Sequence, residues 1–161
     1  MFEIFGNFNS YEDINETAIN LRKEGDTANI KVLARENGID QDIADAFIDG
    51  DIFYLCDKIT AAIGKIEIEA KELNPVEIMD DWVEYLKIKC FEDEKTAEAV
   101  RKSDKSLKGC IGALLTWSFN NQKAVDKDIL KAANITNGRV TLGIPGMGRA
   151  KRIMSDYYLG K

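Results

Sequence analysis

The chain has 161 residues, of which 45% are hydrophobic and 31% charged, and its net charge is −6. This hydrophobic content excludes wholesale disorder and is sufficient for one core, or for two small helical units that share one. Histidine is absent, which removes the usual general base together with the Ser-His-Asp and Cys-His arrangements. We therefore expect a protein that is not an enzyme and has no catalytic residue, cofactor or metal.

The charge is divided unevenly along the chain. Residues 1–80 carry a net charge of −11, whereas residues 81–161 carry a net charge of +5. An acidic first half and a basic second half favour separate surfaces for different partners. Solvated helix faces can also differ in sign without any partner, and composition alone does not separate the two interpretations.

The chain shows features of a cytoplasmic protein. Its apolar runs are too short to span a bilayer and no secretion signal opens it, so we expect no membrane contact. The three cysteines, Cys56, Cys90 and Cys110, are widely spaced and include no CxxC pair. This pattern is typical of reduced, mostly buried thiols in a cytosol.

Cap signals predict three short helices followed by a longer one. The short helices are predicted within SYEDINETAINLRKEG, DTANIKVLARENG and DQDIADAFIDG, each of which begins with a capping side chain and ends with glycine. Their predicted N-caps are Ser10, Asp26 and Asp40. The longer helix is predicted from about Ile52 to Leu73, with Gly64 as a weak position inside it.

Asn74-Pro75, followed by Glu77, predicts a new helix with Asn74 as its N-cap. We place a domain boundary there, between an acidic helical unit at 1–73 and a helical domain at 74–161. Later helices are predicted over EKTAEAVRK, after Ser106, from Asp126 and from about residue 147, while RVTLGIPG has strand or loop character. The sequence thus predicts a compact all-α protein of about seven or eight helices, with the acidic unit packed on the C-terminal domain.

The stretch LARENGIDQDIADAFIDG has the outline of a helix-turn-helix motif. Its second helix and flanks carry five aspartates: Asp40, Asp42, Asp45, Asp49 and Asp51. Five carboxylates would be repelled by DNA phosphates, so this element is better interpreted as a packing unit or as an acidic docking surface for a basic protein. An EF-hand is also disfavoured, because the glycine and the final glutamate of that loop fall at the wrong positions.

The stretch TLGIPGMGRAKRIM, at 141–154, combines three glycines with three cations. A P-loop requires lysine and a hydroxyl where this chain has Arg149 and Ala150, and the glycine order is not that of a dinucleotide turn. The stretch then leads into a helix that carries Arg149, Lys151 and Arg152. Three interpretations of these cations stay open: contact with a nucleic-acid phosphate, contact with an acidic protein patch, or exposure to water alone.

Two further pairs of residues are predicted to serve packing. Trp82 and Trp117 fall near apolar helical stripes, which favours burial in the core over base stacking. Gly109 and Gly112 lie three residues apart on a predicted helix and are expected to permit a close helix crossing.

Three short motifs carry a resemblance to a known family. DKSLKGC, at 104–110, lies about twenty residues after WVEYL and ahead of the terminal SDYYLGK. This order resembles the PcfK-like family of conjugative plasmids and other mobile elements, and the resemblance covers roughly residues 76–161. The matching residues are Tyr85, Leu86, Lys105, Ser106, Leu107, Lys108, Gly109, Cys110, Asp156, Tyr157 and Tyr158.

Some members of that family are anti-CRISPR proteins, and the resemblance implies a non-enzymatic inhibitor in the cytoplasm of a bacterial host. Its expected partner is a type II CRISPR RNA-guided DNA nuclease, with or without its guide RNA. The alternative is a nucleic-acid-binding accessory protein of a conjugative or other mobile element. The residues expected to contact a partner are Asp40, Asp42, Asp45, Asp49, Asp51, Lys105, Lys108, Arg149, Lys151 and Arg152.

Overall fold

A computed structural model describes residues 3–136 and 138–160 of the chain. Over these residues the chain forms nine α-helices and one two-stranded sheet, which confirms the all-α prediction. The elements are α1 Tyr11–Glu24, α2 Thr27–Glu36, α3 Gln41–Asp49, α4 Lys58–Leu73, α5 Ile78–Glu92, α6 Glu94–Arg101, α7 Leu107–Asn120, β1 Lys123–Ala124, α8 Lys127–Ala132, β2 Thr141–Leu142 and α9 Met147–Leu159. None of the helices in these two ranges combines the length and the apolar character that a membrane crossing requires.

Five predicted helix starts are confirmed at their capping side chains. The Ser10 hydroxyl accepts the Asp13 N–H at 3.1 Å, and Gly25 ends α1 in the left-handed conformation. Asp26, Asp40, Ser106 and Asp126 are likewise the N-caps of α2, α3, α7 and α8. Each cap satisfies an N–H group that the first helical turn leaves without a partner.

Two predicted helix boundaries are wrong. The long helix begins at Lys58 rather than near Ile52, because Asp57 caps it and accepts the Thr60 N–H at 2.7 Å. Asn74 is the C-cap of α4 rather than an N-cap, with φ of 46° and its N–H donated to the carbonyl of Ala70. Asparagine tolerates the left-handed region that ends a helix, and α5 then begins only at Ile78.

The buried apolar residues form two clusters that share α4. One cluster lies among α1, α2 and α3 and includes Phe47 and, from α4, Ala61. The other lies among α5, α6, α7 and α9 and includes Trp82 and, from α4, Ala62 and Ile66. The units predicted at 1–73 and 74–161 are therefore joined along one helix, whose successive residues face different cores.

Buried charged groups connect α4 and α6 to neighbouring parts of the chain. The Lys65 ammonium donates to the carbonyls of Lys102 and Lys105 at 2.6 and 2.7 Å, and the Glu69 carboxylate accepts the Leu107 N–H. Arg101 donates from Nη2 to Oδ1 of Asn37 at 2.8 Å. Burial lowers the pKa of Lys65 to about 8 and raises that of Glu69. Hydrogen bonds to these groups offset part of the cost of removing them from water.

A small excursion, the segment that contains β1, α8 and β2, separates α7 from α9. Strands β1 and β2 pair antiparallel, with Lys123 opposite Leu142 and Ala124 opposite Thr141, and α8 lies in the connection between them. The stretch RVTLGIPG was predicted as strand or loop, and β2 falls within it. The excursion precedes α9 and thereby positions Arg149, Lys151 and Arg152.

Candidate interaction surfaces

The five aspartates singled out in the sequence are all exposed, and we call them the acidic surface: Asp40, Asp42, Asp45, Asp49 and Asp51. Three of them, at positions 42, 45 and 49, recur at helical spacing and share one face of α3. Ala44 and Phe47 are completely buried on the opposite face. The other two flank the helix, so the whole set lies on its solvent side.

Local hydrogen bonds fix the two flanking members of the acidic surface. The Asp40 carboxylate caps α3 by accepting the Asp42 N–H at 3.0 Å. Gly50 ends the helix at φ of 84°, after which the Asp51 N–H donates to the carbonyl of Ala46 at 2.9 Å. The carboxylates therefore project from an ordered frame rather than from a flexible tail.

Among the described residues, most carboxylates of this surface have no cationic partner. Asp45 forms an ion pair with Lys31 of α2 at 2.6 Å. For the part of the chain at 3–136 and 138–160, this is the only ion pair that any of the five aspartates makes. The two helices and the glycine turn of the predicted helix-turn-helix are present, but the helix in the recognition position presents carboxylates to solvent.

The basic residues predicted to bind a partner divide into two groups. Lys105 is half-buried and donates to the carbonyl of Tyr157 at 2.8 Å, with its ammonium 5.0 Å from that ring. Lys105, two residues before α7, therefore joins the start of that helix to α9, and its ammonium is already engaged within the chain. Lys108, in the first turn of α7, is exposed.

All three predicted cations of α9 are exposed, but they do not share one face. The Arg149 guanidinium lies 5.6 Å from the ring centre of Trp117, while the Lys151 ammonium lies 4.8 Å from that of Tyr85. Arg149 therefore faces α7 and Lys151 faces α5. Such cation–π contacts hold the side chains in place and leave their charge available to solvent.

Residues of two of the three motifs, DKSLKGC and SDYYLGK, meet where α7 begins against α9. The Ser106 N–H donates to the Tyr157 hydroxyl at 3.1 Å, and the Gly109 N–H donates to the Ser106 hydroxyl at 3.0 Å. A Cβ on Gly109 would lie less than 3 Å from the Tyr157 hydroxyl, so the predicted close approach is present there. Nothing lies within 4 Å of a Cβ on Gly112, and the same prediction for that residue is wrong.

The sulfur atoms are unsuited to nucleophilic chemistry. Cys56, Cys90 and Cys110 are free and buried, and burial raises the pKa of each thiol to about 12. A protonated thiol is a poor nucleophile and a poor metal ligand. Within the described ranges, no three Cys, Asp or Glu residues come together in a geometry that could hold a metal ion.

One surface feature was missed in the sequence, a groove of about 1070 Å³ between α1 and residues 51–57. The sequence prediction placed most of this segment in a helix that starts near Ile52, whereas the helix begins at Lys58. Asp57, three residues ahead of Thr60, was the cap signal that could have moved the helix start. The segment instead forms an irregular wall that exposes Phe53 and Tyr54.

Comparisons with known proteins leave the family open. No family model matches this chain, and neither the curated proteins nor the solved structures give a match to it. The PcfK-like resemblance rests on the three motifs quoted above, and it stays a prediction.

Proposed function

We propose that this protein is a non-enzymatic inhibitor that binds a type II CRISPR RNA-guided DNA nuclease, with or without its guide RNA, in the cytoplasm of a bacterial host. The acidic surface is the observation that carries the proposal. Such nucleases hold their nucleic acids in positively charged channels. They recognise these nucleic acids through the sugar-phosphate backbone. An ordered array of carboxylates can compete with phosphates for a channel of this kind.

Electrostatics favours this mode of binding on two grounds. The acidic half of the chain, with its net charge of −11, attracts a basic partner over the distance of a Debye length and raises the rate of encounter. Asp42, Asp45 and Asp49 then present three carboxylates in fixed register along one helix face. The C-terminal motifs support the same proposal through the family resemblance, which does not extend to the acidic half.

A cleavage assay with two matched variants tests the role of the acidic surface. In the test variant all five aspartates become asparagine, which retains the capping oxygen of Asp40. In the control variant five exposed carboxylates elsewhere become amides: Asp80, Asp81, Glu84, Glu92 and Asp128. We expect the test variant to lose inhibition by about tenfold or more and the control to retain it. Equal inhibition by both variants would exclude the acidic surface as the inhibitory element.

A second pair of assays identifies the step that is blocked. DNA cleavage and DNA binding by the nuclease are measured side by side, each with the wild-type protein added. Loss of both indicates that the protein occupies the DNA site, whereas loss of cleavage alone indicates a block after binding. An unchanged result in both assays would refute the inhibitor proposal.

The alternative proposal is a nucleic-acid-binding accessory protein of a mobile element. It is favoured by the exposed cations of α9, two of which lie over aromatic rings. This alternative expects salt-sensitive binding to naked DNA or RNA, lost when Arg149, Lys151 and Arg152 are changed to glutamine. A gel-shift titration at two salt concentrations measures it, and an inhibitor that acts through the acidic surface gives no shift.

A further inference from the structure

The groove between α1 and residues 51–57 has an anchored wall. Asn15 donates from Nδ2 to the carbonyl of Cys56 at 2.8 Å, and its Oδ1 accepts the N–H groups of Leu55 and Cys56 at 2.9 and 3.0 Å. Leu55 and Cys56 are themselves buried. The wall is thus fastened near its C-terminal end by the one buried amide of α1.

A second side chain of α1 fixes the opposite end of the wall. Arg22 donates from Nη1 to the carbonyls of Phe47 and Ile52 at 3.0 and 3.4 Å, with its guanidinium 4.2 Å from the ring centre of Phe47. The segment is therefore held from α1 at both Ile52 and Cys56. Phe53 and Tyr54 lie between these two points and are exposed.

Those two residues are aromatic. Phe53 is 80% exposed and Tyr54 66% exposed, although both immediately precede the buried Leu55. The anchored segment holds both rings in contact with water. Their apolar surface is therefore accessible and is not part of the core of this chain. Rigid aromatic side chains of this kind are typical anchors of protein interfaces, because little conformational entropy is lost when they are covered.

The rim of the groove is acidic. Glu12 and Glu16 of α1, together with Asp51 and Asp57 of the wall, line it, and Lys23 is the one basic residue among the described residues that line it. The neighbouring Glu12 carboxylate raises the pKa of the Tyr11 phenol, which favours its protonated form. An apolar floor with carboxylates on both sides complements a partner that combines apolar side chains with lysine or arginine.

We infer that this groove is a docking site for a basic, apolar-anchored helical segment of a partner protein. Its α1 side runs along a helix of 14 residues, which gives a second helix of similar length room to lie alongside. Apolar residues of the partner at i, i+3 and i+7 would cover Phe53, Tyr54 and Ile19, and its cations would face Glu12, Glu16 and Asp57. The inference does not depend on the identity of any nuclease, and it shares only Asp51 with the acidic surface.

Binding of a defined probe to the full chain tests the inference. The probe is a fluorescein-labelled, helix-forming peptide of lysine and leucine with one tryptophan, as long as α1, and a second peptide replaces every lysine with glutamate. Fluorescence anisotropy measures affinity, and backbone amide NMR shifts locate the contact. We expect the lysine peptide to bind, the glutamate peptide not to bind, and the shifts to fall on α1 and residues 51–57.

Two double variants separate docking from general stickiness. Phe53→Ala with Tyr54→Ala removes the anchors, while Phe91→Ala with Phe119→Ala removes two rings that are 67% and 79% exposed elsewhere. All four side chains are exposed, so both proteins are expected to fold. We expect the first to weaken binding about tenfold or more and the second to leave it unchanged. Equal effects of the two, or no binding by the wild type, would overturn the inference.

Two other outcomes would also overturn it. Binding that is lost in a variant with Asp40, Asp42, Asp45 and Asp49 changed to asparagine, but kept without Phe53 and Tyr54, would place the probe on α3 instead. Self-association of the chain in sedimentation velocity that depends on Phe53 and Tyr54 would make a second copy the occupant of the groove.

Discussion

Gly38 and Gly64 lie backbone against backbone, where the turn after α2 meets the middle of α4. A Cβ on Gly38 would lie less than 3 Å from the carbonyl oxygen of Gly64. A Cβ on Gly64 would also lie less than 3 Å from the carbonyl oxygen of Asn37. Gly38 also has φ of 66°, which other residues rarely adopt. This contact sets the distance between the helix pair that carries the acidic surface and the helix shared by both cores.

Gly64→Ala is therefore expected to destabilise the protein. Helix propensity alone favours alanine over glycine by about 1 kcal/mol inside a helix. The new methyl group meets backbone atoms that cannot rotate away, and overpacking of this kind costs about 1–3 kcal/mol or more. Because the clash with backbone outweighs the gain in propensity, we expect a net loss of up to about 2 kcal/mol in the free energy of unfolding, measured by urea denaturation.

Gly112→Ala is the matched control for that prediction. Gly112 is also helical, but it is exposed, and no atom lies within 4 Å of the place that a methyl group would take. Propensity should act alone there, raising the free energy of unfolding by about 0.5–1 kcal/mol. Opposite signs for the two substitutions are the expected result, and a stabilising Gly64→Ala would contradict the described contact.

Gly109 and Tyr157 are expected to be energetically coupled. Gly109→Ala places a methyl group against the Tyr157 hydroxyl, which also accepts the Ser106 N–H. Tyr157→Phe removes that hydroxyl and relieves part of the collision, at the expense of the hydrogen bond. In a double-mutant cycle followed by urea denaturation, Gly109→Ala should cost about 1 kcal/mol less in the Tyr157→Phe background. Additive effects would indicate that the two residues do not restrain one another.

The residues that were correctly predicted depend on local signals. Ser10, Asp26 and Asp40 cap their helices through contacts with residues two or three positions away, so the sequence alone is sufficient to find them. The exposed face of α3 was predictable for the same reason, because Asp42, Asp45 and Asp49 recur at helical spacing. Asn74 was misassigned since asparagine serves equally well as an N-cap and as a left-handed C-cap.

The groove could not be predicted because distant residues build it. Its wall is held by Asn15, 41 positions before Cys56, and nothing in the sequence around Ile52 indicates that partner. Lys105 was predicted to contact a partner because its own contact within the chain is also with a distant residue. Its contact with Tyr157 spans 52 positions, and only the packing of α7 on α9 brings the two together.

Lys65 is expected to make stability rise with pH on the alkaline side of neutrality. Its pKa is lowered from 10.5 to about 8 by burial, and only 1% of the residue is exposed. Between these values the unfolded chain binds a proton that the folded chain has released, so the contribution of this group increases with pH. Below pH 8 both states are protonated, and the full cost of burying the charge is present.

The raised pKa of the thiols makes the free energy of unfolding fall with pH above pH 9, which opposes the contribution of Lys65. Comparison with Lys65→Met separates the two contributions. From pH 8 to pH 9 the free energy of unfolding of the wild type should rise by about 1 kcal/mol relative to the variant. Urea denaturation at closely spaced pH values measures it. Parallel pH profiles would show that Lys65 titrates normally.

The three thiols should be inaccessible in the folded protein. Burial raises the pKa of Cys56, Cys90 and Cys110 to about 12, so neither exposure nor ionisation favours reaction. With a disulfide reagent at pH 8 we expect no rapid phase in buffer and reaction of all three thiols in denaturant. Cys56, at the base of the groove, would be the first to react in a partly opened chain. A fast native phase of one equivalent or more would contradict the described burial.

Asn15 and Asn20 provide the closest test of how the groove is built, because both lie on α1 and line it while only Asn15 is buried. Asn15→Ala removes the partners of the Leu55 and Cys56 N–H groups and of the Cys56 carbonyl. Leaving such buried groups without hydrogen bonds costs about 1–3 kcal/mol. We expect that loss in urea denaturation, together with faster hydrogen exchange at Leu55 and Cys56 and weaker binding of the lysine peptide. Asn20→Ala should change none of these, and identical behaviour of the two variants would show that Asn15 does not hold the wall.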